Sequence, residues 1–231
     1  MPTAETRPTF LLVHGAWHRP TCWEPLQDAL AAEGWQSRTV ALPSGGPQST
    51  PSAGMYADAE EISAQLRQIP GPVVVVGHSY GGFPVTQAAG DHPNVTRLVY
   101  LAAYVPAEGE YTRGMHGVPQ TDDLEGSAPG LGDTRNVLYQ DLTDEQAERA
   151  IAQLVEQSKR SFHEPITQAA WRTVPSTYVF CEEDRALQPA MQEKMAARTG
   201  HVERIARSHS PFLSAPAELA SLLGRIASSQ D

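Results

Sequence analysis

Gly77-His78-Ser79-Tyr80-Gly81-Gly82 sets a serine between two glycines, directly after four consecutive valines, Val73–Val76. A serine on a sharp strand-to-helix turn is placed for nucleophilic attack. The turn exposes Oγ, and the start of the next helix directs backbone N–H groups and a positive dipole end toward it. Glycines are needed because side chains there would collide with the neighbouring strand and helix. A Gly-x-Ser-x-Gly match alone arises by chance in about one chain in ten to twenty of this length. The weight therefore comes from the setting, an apolar β-branched strand before it and a helix-compatible segment after it. A Gly-rich turn that only packs strand against helix is the plain alternative. A phosphate loop would need a Lys that is missing here.

A nucleophilic serine needs a base, and the base needs an acid to orient it. The chain has eight histidines: His14, His18, His78, His92, His116, His163, His201 and His209. In folds with this elbow the chain order is nucleophile, acid, histidine, so the base belongs on a loop after the last strand. His201 precedes the strand predicted at Val202–Ala206, whereas His209 follows it, so His209 is the candidate base. The acid is expected after the strand Thr177–Cys181, where the chain reads Glu182-Glu183-Asp184-Arg185. A strand end needs a few residues to bend toward the catalytic face. That favours Asp184, with Glu183 as its rival. Upstream, Phe10-Leu11-Leu12-Val13-His14-Gly15-Ala16-Trp17-His18 puts a His-Gly step just past an apolar strand. A loop in that place supplies one N–H of an oxyanion hole, and the residue after the nucleophile supplies the other. Ala16 and Tyr80 are assigned those roles, with a simple strand-end turn as the alternative. Loss of one such donor typically costs about 3–4 kcal/mol.

The elements that must position these groups alternate between strand and helix. Strands are predicted at Thr9–Val13, Ser37–Leu42, Val73–Val76, Arg97–Ala102, Thr177–Cys181 and Val202–Ala206. Helices are predicted at Trp23–Ala32, Met55–Gln68, around Ala190–Ala197 and at Pro216–Ile226. Pro43–Gly54 is rich in Pro, Gly and Ser and reads as a loop. Four successive valines favour a strand covered on both faces, as within a parallel sheet. The expected fold is a doubly wound, mostly parallel α/β sheet in one domain, 1–231. Between about 106 and 173 the pattern changes, and a small, mainly helical cap insertion is expected. Its clearest helix is Thr143–Gln157, with Thr143 or Asp144 as cap and Ala147, Ile151 and Leu154 on one face. The loop Gly109–Gly132 is read as a lid.

With 231 residues, 40% of them hydrophobic and 19% charged, the chain is long enough for one real core. Its 17 basic and 27 acidic side chains give a formal charge of −10. Such a surface repels phosphate backbones and anionic lipid, so neither nucleic acid nor membrane is an expected partner. Met1–Thr9 lacks the basic and apolar stretches of a signal peptide, and a cytoplasmic location is expected. Cys22 and Cys181 match no metal or redox spacing and are read as free thiols.

The chain resembles the α/β-hydrolase branch of plant methyl esterases, salicylic-acid-binding esterases, hydroxynitrile lyases and many bacterial esterases. The resemblance rests on Val13–Ala16 with Trp23 beyond, Gly77–Gly82, Leu101–Pro106, Tyr178–Leu187 and Ser208–Pro216. It implies the α/β-hydrolase fold, with nucleophile Ser79, acid Asp184, base His209 and oxyanion donors Ala16 and Tyr80. The lyases of that branch resemble each other in a lysine after the catalytic histidine and a threonine after the strand-end histidine. Here those places hold Ser210 and Gly15, so the cation for a leaving cyanide is missing. The expected activity is cofactor-free hydrolysis of a small-molecule carboxylic ester, lactone or thioester, by a monomer or homodimer. Trp17, His18, His78, Tyr104, Phe162 and Trp171 are the expected substrate contacts. The contrasting readings are a non-catalytic small-molecule receptor on the same scaffold, or C–C or C–N bond chemistry by the same triad. Slow turnover with tight ligand retention distinguishes the receptor.

Overall fold

The computed structural model describes residues 7–46 and 53–229. The centre of the loop expected at Pro43–Gly54, and the first six residues of the chain, lie outside the described residues. In chain order the elements are β1 (Thr9–Val13), α1 (Glu24–Ala32), β2 (Ser37–Val40), α2 (Met55–Gln68), β3 (Val73–His78), α3 (Gly82–Ala88) and β4 (Val95–Leu101). There follow α4 (Thr112–Met115), β5 (Ser127–Ala128), α5 (Thr134–Leu138), α6 (Asp144–Ala152) and β6 (Gln157–Ser158). The chain ends with β7 (Ser176–Cys181), α7 (Pro189–Ala196), β8 (His201–Ile205), α8 (Pro211–Ser214) and α9 (Pro216–Ser228). Six strands form one sheet in the order β2-β1-β3-β4-β7-β8, every pair parallel.

Strand alternation divides the core into two layers. Val73 and Val75 of β3 point into a cluster with Ile62 and Leu66 of α2 and Phe83 of α3. Val74 and Val76 point the other way, into a cluster with Leu26 and Leu30 of α1 and Leu219 and Leu223 of α9. The valine run is thus covered on both faces, which is why its sequence shows no polar alternation. This sheet with helices on both faces is the fold expected from the sequence. The sheet brings the C-terminal ends of β1, β3, β7 and β8 to one edge, where their loops meet.

Between Leu101 and Ser176 the chain leaves the sheet. It forms short helices and the antiparallel pair β5–β6, with a small core of Leu138, Tyr139, Leu142 and Ala147. Helix α6 opens with a capping box in which the Thr143 side chain and Gln146 exchange hydrogen bonds with each other's backbone. It ends at Ala152, short of the expected Gln157. Gln157 instead joins β6, and Ile151 on the expected apolar face is among the exposed large hydrophobics. The last strand also begins one residue earlier than expected, so His201 is its first residue rather than preceding it. Neither cysteine forms a disulfide; Cys181 is buried and Cys22 half-buried.

Candidate active site

Ser79 follows β3 immediately and has φ +52°, a left-handed backbone that a non-glycine residue adopts only when its surroundings enforce it. The enforcement is backbone packing. A Cβ on Gly81 would lie 2.6 Å from the His14 carbonyl oxygen, and one on Gly82 2.0 Å from that of Tyr104. The Tyr104 N–H also donates to Ser79 O at 3.2 Å. A Cβ on Gly15 would sit 2.9 Å from Ser79 Cβ. The His-Gly step after β1 is therefore pressed against the serine itself, and Ala16, next along, borders the same cavity as Ser79 and Tyr80.

His209 lies on the loop between β8 and α8. Its Nδ1–H donates to Asp184 Oδ2 at 2.7 Å. Asp184 Oδ1 accepts from the backbone N–H groups of Ala186 at 2.7 Å and Leu187 at 3.0 Å. Both side chains are buried, whereas Glu183 is exposed. Of the two acids, Asp184 is the one hydrogen-bonded to His209. The His209 loop is braced twice. His78 Nε2–H donates to His209 O at 2.9 Å, and Asp141 accepts from Ser208 N and Oγ. Among the described residues no direct hydrogen bond joins Ser79 Oγ to His209, but both open onto one cavity. Bonds of this kind tighten when substrate binds.

That cavity, of about 410 Å³, is bordered by Ser79 and His209, by Trp17, His18, Tyr80, Tyr104 and Phe162, and by Ala128–Leu131 from the loop expected as a lid. Four of the six expected substrate contacts, Trp17, His18, Tyr104 and Phe162, are on its wall. The other two are elsewhere. His78 ends β3 with its ring turned to the opposite layer, 4.9 Å from the Phe212 ring and 6.2 Å from the Trp23 ring, so it supports His209 from behind. Trp171 Nε1–H donates to Pro106 O at 2.7 Å and pins the base of the excursion outside the cavity. Thr112, Arg113, His116, Leu138, Ala186 and Leu187 complete the wall and were not singled out by the sequence. His116 Nε2 accepts from Tyr104 Oη at 2.7 Å.

Three buried histidines, His14, His18 and His78, are shifted toward the neutral form. Burial lowers His14 to a pKa of about 4 and His18 to about 3, against the opposing effect of their backbone hydrogen bonds to Gly15 O and Ala16 O. Burial, with the neighbouring His209 and His18, drives His78 well below its usual value. Asp58 on α2 is buried beneath Tyr80, and burial raises it to about 6 although Ser44 and Tyr80 donate to it. Among the described residues no group of three or more His, Cys, Asp or Glu side chains is placed to hold a metal ion. Nor is any helix among them long and apolar enough to cross a membrane.

The chain is similar to known proteins over nearly its whole length. The sequence model of the "Alpha/beta hydrolase family" matches residues 10–222. A "Probable hydrolase R7" from Phoma sp. is 30% identical, the match covering 96% of this chain and 99% of the relative. An "Alpha/beta hydrolase nvfD" from Aspergillus novofumigatus is 31% identical over 91% of this chain and 92% of its own length. Among solved structures, a methylesterase from Arabidopsis superposes with TM-score 0.82 at 25% identity, covering 96% of this chain and 99% of that one. With a parallel sheet of the matching form and a family model spanning most of its residues, this chain belongs to the alpha/beta hydrolase family.

Proposed function

We propose that this protein hydrolyses a small to medium carboxylic ester through an acyl-enzyme, with Ser79 as nucleophile, His209 as base and Asp184 as the acid that orients it. The observation that carries the reading is the meeting of a strained, cavity-facing Ser79 with a buried His209–Asp184 pair on one cavity wall. His209 takes the Ser79 proton through Nε2 as Oγ attacks the carbonyl carbon. The N–H groups of Ala16 and Tyr80 receive the oxyanion. Tyr80 lies in the single 3₁₀ turn Ser79–Gly81 that leads into α3, where N–H groups lack intrahelical partners. His209 then protonates the leaving alcohol, and a water activated by the same imidazole releases the acid.

The esterase names among similar proteins, including a rice esterase matched over 97% of this chain, favour esters over other acyl compounds. A lactone or thioester would use the same groups. Residues 106–173 act as a cap within one domain, Ala128–Leu131 forming the part of its lid loop that meets substrate. The test is p-nitrophenyl acetate hydrolysis by wild type and Ser79→Ala. Turnover by wild type that falls at least ~10³-fold in Ser79→Ala is expected. An inactive wild type, or an active Ser79→Ala protein, overturns the reading.

A further inference from the structure

The loops carrying the two proposed oxyanion donors are tied to one buried polar chain that the reaction steps above do not use. On the elbow side, Tyr80 Oη donates to Asp58 Oδ2 at 2.6 Å. Asp58 also accepts from Ser44 Oγ at 2.5 Å and from Ser44 N at 2.8 Å. On the β1 side, Trp17 N donates to Gln157 Oε1 at 3.3 Å, and Trp17 O accepts from Val155 N at 2.8 Å. The two sides meet at Ser44, whose Oγ accepts from Gln157 Nε2 at 2.7 Å. The second proton of that amide goes to Ser161 Oγ at 2.8 Å. Asp58, Ser44 and Gln157 are all fully buried, and Gln157 uses every polar atom of its amide.

We propose that Gln157 and Asp58 are positioning residues that fix the spacing between the Ala16 and Tyr80 backbone donors, neither of the two side chains itself bordering the substrate cavity. This rests on the ester-hydrolase reading above. Three features argue for positioning over simple packing. Trp17 has φ +62° and Ser79 φ +52°, so both arms carry backbone strain that holds only while neighbours enforce it. The peptide of Trp17 is held at its N–H and its carbonyl by consecutive parts of one segment, Val155–Gln157. And a fully satisfied polar chain is directional where apolar packing is not, so it fixes distances rather than only filling space. Donors that must meet a developing charge are sensitive to such distances, since a misplacement of 1 Å can cost about a hundredfold in rate.

The test uses Gln157→Leu, close in size but without hydrogen bonds, and Tyr80→Phe, which removes only the hydroxyl facing Asp58 and keeps the backbone N–H. Each is assayed with p-nitrophenyl acetate, counting sites by fluorophosphonate titration. Phenylboronic acid serves as a mimic of the tetrahedral state: Ser79 Oγ bonds to boron, its proton goes to His209, and the resulting boronate carries the negative charge. The expected result is a fall in kcat per titrated site of about 10- to 100-fold, with KM within about threefold. Phenylboronic acid affinity should fall by a similar factor, and the double variant should lose less than the product of the two. Wild-type kcat per titrated site and wild-type boronate affinity in both variants would overturn the inference, because a role in stability alone removes sites without slowing those that remain. If Gln157→Leu does not fold, Tyr80→Phe decides by the same criteria. An active wild type, an inactive Ser79→Ala and fully active Tyr80→Phe and Gln157→Leu proteins would remove this inference alone. An inactive wild type would remove the hydrolase reading and this inference with it.

Discussion

Replacing Asp184 by asparagine should disable the protein by forcing the wrong tautomer on His209. Asp184 Oδ1 accepts from two backbone N–H groups, those of Ala186 and Leu187, while Oδ2 accepts from His209 Nδ1–H. In the Asp184→Asn protein the amide oxygen must stay on the Ala186 and Leu187 side, because an NH₂ there would confront two donors. The amide NH₂ then faces His209 Nδ1 and donates to it. His209 must carry its proton on Nε2, toward the cavity, where it cannot accept the Ser79 proton. Restoring the productive tautomer requires flipping the amide and leaving two buried N–H groups unsatisfied. At roughly 1–3 kcal/mol each, that costs about 2–6 kcal/mol, or a factor of about 30 to 10⁴. Loss of the charge that stabilises the imidazolium adds to it. A fall in kcat of about 10³–10⁴ is therefore expected for p-nitrophenyl acetate, with a thermal melt near wild type. Glu183→Gln should be close to neutral. A well-folded Asp184→Asn protein that loses less than about tenfold, or an equal loss in Glu183→Gln, would refute this reasoning.

Gly82→Ala would place a methyl group 2.0 Å from Tyr104 O, and backbone cannot yield cheaply; a loss of about 3 kcal/mol, read as roughly 6–12 °C in Tm, is expected. Asp58 has a folded pKa of about 6 against an unfolded value of about 3.8, so its contribution to stability is full below about pH 3.8 and is lost as pH rises through 6. His14 and His18, depressed by burial, act in the opposite sense, their contribution being lost as pH falls from about 6.5 through 4 and 3. Comparing Asp58→Asn with wild type isolates the acid: the change in stability between pH 4 and pH 7, read by urea unfolding, should differ between the two proteins by about 2 kcal/mol, and equal pH dependence would contradict the assignment.

The central strands of the sheet were legible because β1, β3, β4 and β7 are dense in β-branched and apolar residues. The Gly77–Gly82 turn was legible because its chemistry and its steric demands are both local. Chain order then separated His209 from His201, although His201 belongs to the last strand. The edge strand β8 was harder to delimit, since four of its five residues are exposed and carry no alternation. His78 is among the expected substrate contacts. Strand alternation instead turns its ring toward Trp23 and Phe212 in the other layer. Gln157, Ser44, Asp58 and Asp141 gave no signal. Their partners lie outside their own elements, 14 residues away for Asp58 and Ser44, 67 for Asp141 and Ser208 and 113 for Gln157 and Ser44, so only tertiary closure brings them together. A polar residue bound for such a contact looks, in sequence, like any solvated one.

The most direct test of the central claim is mass spectrometry of the tryptic peptides after treatment with a fluorophosphonate. One covalent adduct on the Ser79 peptide, absent from Ser79→Ala and formed far more slowly in Asp184→Asn, is the predicted outcome. An unlabelled Ser79 peptide in the folded wild-type protein, or an adduct that persists in Ser79→Ala, would contradict it.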